Sequence, residues 1–151
     1  MLTLVRWLSR WPLPWLHFAG GLAGWLAVAF SPSYRKRLHA NAQRAGLTPA
    51  QRRASVAEAG KLVAELPWLW LGEAARPISR HCRWHGESLI DEALQAGHGL
   101  VLLTPHMGSF EVCAQAYAER YGAQRPMTAL YRPARQPWLR ELEETARARP
   151  G

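Results

Sequence analysis

The chain has 151 residues with a formal charge of +8, 48% apolar residues and only 20% charged ones. That balance excludes a disordered chain, which needs few apolar groups and many charges, and suits one domain plus an anchor. The charge is one-sided. No Asp or Glu precedes Glu58, whereas Arg6, Arg10, Arg35, Lys36, Arg37, Arg44, Arg52 and Arg53 all fall in that region. The remainder is neutral, so the excess sits beside the apolar N-terminal stretch and fits an anionic membrane surface. Nucleic acid is the competing partner for a basic chain, but no nucleic-acid motif accompanies the charge, and none is expected to bind.

In chain order, the stretch from Trp11 to Tyr34 carries no charged side chain. About 20 apolar residues suffice to cross a bilayer. Pro12, Pro14 and His17 interrupt the start of this stretch, and Gly20, Gly21 and Gly24 its middle, so a re-entrant or interfacial helix is the alternative to a span. Trp7, Trp11, Trp15 and Trp25 add rings that favour the headgroup layer. Ala27-Val28-Ala29 resembles a signal-peptidase site. The basic run Arg35–Arg37 follows at once, however, which retains that side in the cytoplasm. Residues 1–34 are therefore expected to be a membrane anchor.

Residues 33–46 read as a basic helix ending near Gly46. Thr48-Pro49 reads as an N-cap and first-turn proline opening a helix to Leu66, interrupted by Pro67, with Gly72 closing the segment. Residues 35–72 form a basic helical segment in this reading.

From residue 73 to 151 the pattern predicts an α/β domain. Residues 81–85 and 127–131 alternate as short strands, and Leu100–Leu103 is a compact run of the buried parallel type. Helices are expected at Glu87–Ala96, at Gly108–Tyr121 and from Pro137 to about Arg147. Strands and helices in that order imply right-handed crossovers, with ligands at the carboxyl ends of the strands.

His106 sits at one such end, and Glu111 follows five residues later. With His106 in the turn and Gly108 letting the chain turn tightly into a helix, Glu111 would lie about one turn inside and point back at the imidazole. A carboxylate on one ring nitrogen fixes the tautomer and leaves the other nitrogen as a general base. No Ser or Cys nucleophile has a recognisable setting, so the pair would activate a substrate hydroxyl directly. The spacing alone also fits a strand-capping His and a solvated Glu. Cys82 and Cys113 read as two reduced thiols. His81, Cys82 and His85 lack a second cluster to complete a metal site, so no metal and no cofactor is expected.

The segment GLVLLTPHMGSFEV, followed by ALYRP, resembles the lipid A biosynthesis (late lauroyl/myristoyl) acyltransferases, within the lysophospholipid acyltransferase superfamily. The order of anchor, basic helix, H-x4-[DE] and YRP matches as well. The resemblance implies an α/β acyltransferase fold on the cytoplasmic side of the bacterial inner membrane. It implies acyl carrier protein thioesters as donors and a hydroxyl of a lipid A precursor or related glycolipid as acceptor. His106 would be the base and Glu111 its partner. Arg132 would hold the acceptor's phosphate or the developing charge, and Gly108 and Arg149 would contribute to substrate binding. Members of that family are longer, so residues 73–151 would be the N-terminal part of a truncated domain. A catalytically incomplete membrane-associated fragment and a lysophospholipid acyltransferase are the alternatives.

Overall fold

The computed structural model describes residues 2–72, 77–130 and 132–147, the side chains of the last segment as far as residue 144. Among the described residues seven α-helices follow one another: α1 Leu2–Leu8, α2 Leu13–Phe30, α3 Pro32–Arg44, α4 Pro49–Leu71, α5 Ser88–Gln95, α6 Glu111–Tyr121 and α7 Pro137–Arg147. A single 3-10 turn covers Ile78–His81. The chain divides into two units. One comprises the described residues up to 72 together with 132–147; the other comprises 77–130.

The expected α/β domain is not what forms. Among the described residues there is no strand, and the segments at 82–85, 100–103 and 127–130 carry neither helix nor ladder. A parallel strand is stable only when a neighbour takes its N–H and C=O groups, and an apolar run carries no such partner within itself. Val101 and Leu103 are 86% and 91% exposed, the reverse of a buried central strand. At 78–81 a local alternative prevails. The Glu119 carboxylate accepts the Ile78 and Ser79 N–H groups at 2.6 and 3.2 Å, and the chain coils into the 3-10 turn there. The crossovers inferred from the strand order fall with the strands.

The helices are closer to expectation. α2 begins after Pro12 with Pro14 in its first turn, where a missing N–H is harmless. Ser31 caps α3, its hydroxyl accepting from Tyr34 N–H. α3 ends where Gly46 takes φ +66° and Leu47 N–H returns to the Ala42 carbonyl, a Schellman closure. α4 opens on a reciprocal capping box between Thr48 and Gln51. Pro67 does not interrupt it: the helix runs on to Leu71. A mid-helix proline costs about 3 kcal/mol. Burial of Trp68 and Leu69 in the next turn offsets that loss by holding the helix on its neighbours.

Within the first unit α2 and α4 pack along their length, antiparallel. His17 meets Glu65, Gly20 meets Gly60 and Ala64, and Gly24 meets Val56 and Gly60. Glycine is required at the seam. A Cβ on Gly20 would fall 2.6 Å from the Ala64 Cβ, and one on Gly60 would fall 2.8 Å from the Gly24 nitrogen. Leu16, Val56, Trp68 and Leu69, with Ala42 of α3 and Leu142 of α7, form the buried apolar set here. The opposite face of α2 is open: Trp15, Phe18, Leu22, Trp25, Leu26 and Phe30 are exposed. At about 1.5 Å per residue its 18 residues span about 27 Å, and α2 is the one described helix long and apolar enough to cross a membrane.

The second unit is smaller. Ile78, Ala116, Tyr117 and Tyr121 are its buried apolar side chains. α5 closes as expected, with Gly97 at φ +72° and His98 N–H returning to the Ala93 carbonyl.

Candidate active site

His106 is the one described non-glycine residue with a positive φ, +53°. A Cβ makes that conformation uncommon, at roughly 1–3 kcal/mol of strain that its surroundings must offset. Local chemistry holds it there. Pro105 disfavours the helical region for Thr104. The Thr104 hydroxyl then accepts the His106 backbone N–H at 3.4 Å, and His106 Nδ1 lies 3.3 Å from the Thr104 carbonyl oxygen. The imidazole rests on the Phe110 ring, with centroids 4.4 Å apart and planes tilted by 34°.

A carbonyl oxygen can only accept, so Nδ1 donates its hydrogen to it and the lone pair is left on Nε2. The contact with the Thr104 carbonyl favours the tautomer that carries its proton on Nδ1. Thr104 and Phe110 join His106 here, and the sequence pattern singles out neither of them. The signal was present in Thr-Pro-His: a Thr side chain commonly accepts from the N–H two residues on.

Gly108 takes φ +58°, and no atom lies within 4 Å of where its Cβ would be. It is needed for the turn and not for space. Phe110 N–H then bonds the Gly108 carbonyl at 2.9 Å, and tight bonds from Val112 and Cys113 to Ser109 and Phe110 lead into α6. α6 starts at Glu111, three residues later than the pattern predicts. Glu111 therefore occupies the first helical position, not one a full turn inside. Its half-buried carboxylate sits at the electropositive helix end, where a negative charge is favoured.

The far end of α6 is tied to the rest of its unit. Glu119 caps the 3-10 turn, and the Ser79 side chain, with the Ser79 and Ile78 N–H groups, holds its carboxyl below the ordinary value. Tyr121 Oη donates to Asp91 Oδ1 at 2.9 Å, and Arg120 pairs with Glu87 at 3.1 Å. Trp84 meets the Tyr121 ring edge-on at 6.2 Å. These contacts give the His106 turn a helix anchored at its other end to α5.

Cys82 and Cys113 are free thiols. Burial, then the nearby Cys113 and Glu119, pushes the Cys82 thiol up. Among the described residues no three His, Cys, Asp or Glu side chains are gathered to hold a metal ion. Arg132 is exposed and belongs to the first unit. Arg149, Tyr131 and residues 73–76 lie outside the described residues.

No curated protein and no solved structure matches the chain. The family described as bacterial lipid A biosynthesis acyltransferase matches residues 1–151, the whole chain. The chain belongs to the bacterial lipid A biosynthesis acyltransferase family.

Proposed function

We propose that the protein transfers a fatty acyl chain from an acyl carrier protein thioester to a hydroxyl of a lipid A precursor. His106 Nε2 is the general base. The observation that carries this reading is the His106 turn, in which a strained backbone and the Thr104 carbonyl leave Nε2 as the basic nitrogen. In the reaction Nε2 takes the hydroxyl proton as the oxygen attacks the thioester carbonyl carbon. The tetrahedral intermediate collapses with cleavage of the C–S bond. The imidazolium returns its proton to the leaving thiolate, so ester and free thiol are the products. No covalent enzyme intermediate is required.

Glu111 supports the imidazolium that forms during attack, and Gly108 lets the chain place base and carboxylate on successive turns. The exposed guanidinium of Arg132 suits a bidentate grip on an acceptor phosphate, and Arg149 is of the same residue type. The basic N-terminal half would speed encounter with an acidic carrier protein as well as with anionic lipid. The inner membrane is the site of action, with the His106 unit on the cytoplasmic side where the thioester donor resides.

Membranes containing the full chain, given a radiolabelled acyl carrier protein thioester and a lipid A precursor, test the reading. The expected products are acylated lipid and an equivalent of free thiol. Transfer no greater than in membranes lacking the chain would overturn it.

A further inference from the structure

The α2–α4 pairing constrains how the apolar face of α2 can meet a membrane. The two helices are antiparallel, so the C-terminal half of α2 lies beside the N-terminal half of α4. Gly24 touches Val56 and Gly60, and Gly21 faces Ala57 and Lys61. That half of α4 carries Arg52, Arg53, Glu58 and Lys61. Farther along, His17 and Glu65 pair at 3.0 Å. A lone α2 could cross a bilayer. The packed pair could not do so without drawing Glu58 and Lys61, which lie beside the middle of α2, to bilayer depth, where ionised groups are disfavoured. The seam is also backbone-close at Gly20, Gly24 and Gly60, so α4 cannot be parted from α2 without losing the unit's main packing.

The open face of α2 has the opposite character. Trp15, Phe18, Leu22, Trp25 and Phe30 recur at helical spacing on the side away from α4, with Phe30 82% exposed. Arg35, Lys36 and Arg37 follow on α3, all exposed. Arg6 and Arg10 precede, also exposed, beside the exposed Trp7 of α1. An apolar face edged by arginines at both ends, with tryptophans along it, is the pattern of a helix lying in the interface, its rings among acyl chains and its cations on lipid phosphates.

We infer that α2 lies in the plane of one leaflet of an anionic bilayer, as the lipid-facing half of a hairpin with α4, and does not span the membrane. This rests on the membrane assignment proposed above and specifies its geometry. Both ends of α2 then lie on the cytoplasmic side of the membrane.

The test places single cysteines before and after α2. In the full chain with Cys82→Ser and Cys113→Ser, Thr3→Cys or Ser33→Cys is introduced; both positions are exposed. A membrane-impermeant maleimide is applied to spheroplasts and to lysed membranes. The inference predicts that both positions are protected in spheroplasts and both labelled after lysis. Labelling of Thr3→Cys in intact spheroplasts, with Ser33→Cys protected until lysis, would show a span and overturn it, leaving acyl transfer untouched. Alkaline-carbonate washing gives the second arm. Retention in the pellet supports lipid as the occupant of the α2 face. Release as a soluble dimer would assign that face to a second copy, and release as a monomer would remove the membrane assignment itself.

Discussion

His17 Nε2 and Glu65 Oε2 stand 3.0 Å apart, joining the apolar helix α2 to α4 through a polar pair at their seam. Glu65 is 9% exposed, so its carboxylate depends on this partner. Removing one member leaves the other poorly satisfied, whereas removing both leaves an apolar contact. His17 is partly open to solvent, which reduces the effect. His17→Leu alone is expected to cost about 1–2 kcal/mol, and His17→Leu with Glu65→Leu less than that. Thermal unfolding of the single and double variants in detergent measures the difference.

The glycine seam gives a sharper contrast. In a helix interior Gly→Ala ordinarily stabilises by about 0.5–1 kcal/mol. At Gly60 a methyl group would run into the Gly20 carbonyl and the Gly24 nitrogen, which are backbone atoms with little freedom to yield. Gly60→Ala is expected to destabilise the first unit by about 1–3 kcal/mol. Gly99→Ala meets nothing within 4 Å and should leave the unfolding midpoint nearly unchanged. Equal midpoints for the two variants would refute the close packing of α2 on α4.

Glu119 links α6 to the 3-10 turn in a pH-dependent way. Its carboxyl is held below its ordinary value of 4.5, first by the Ser79 side chain and then by the Ser79 and Ile78 N–H groups. Its stabilising effect is therefore present above that ordinary value and is lost as pH falls through the lower, folded value. The side chain is exposed, so about 1 kcal/mol is the expected scale. Stability of the unmodified chain should decline between neutral and acid pH by more than that of Glu119→Gln. Parallel pH profiles for the two would contradict the cap.

Gly108 tests the turn rather than the packing. A Cβ there meets no atom but must adopt φ +58°, which strains an L-residue by roughly 1–2 kcal/mol. Gly108→Ala should change the unfolding midpoint slightly and lower acyl transfer more, by re-aiming the chain between His106 and Glu111. The comparison needs only a melting curve and a transfer rate on the same preparation.

Much of this could be read from residue order, and the reasons for the rest are physical. Helices with local punctuation were legible: Thr48-Pro49 opens α4, Gly46 and Gly97 close α3 and α5, and α7 spans Pro137–Arg147 as its pattern predicts. The strands were not. A run such as Leu100–Leu103 is compatible with a sheet, but a sheet also needs a second strand, and that requirement is not written in the run. Pro67 misled for the converse reason. Its local signal says stop, while the burial of Trp68 and Leu69 on other helices keeps α4 intact. At the candidate site the need for glycine at position 108 was legible, because backbone freedom is a local property. The carbonyl that fixes the ring was not, because it depends on a positive φ at a residue that rarely adopts one.

The central claim is that His106 removes the proton from the acceptor hydroxyl. Asn tolerates a left-handed backbone and cannot act as a base, so His106→Asn removes the chemistry while retaining the turn. The rate of acyl transfer by this variant, in membranes carrying the full chain at equal abundance, is the most direct measurement. A fall of about 10²–10⁴-fold is predicted, and an unchanged rate would contradict the assignment.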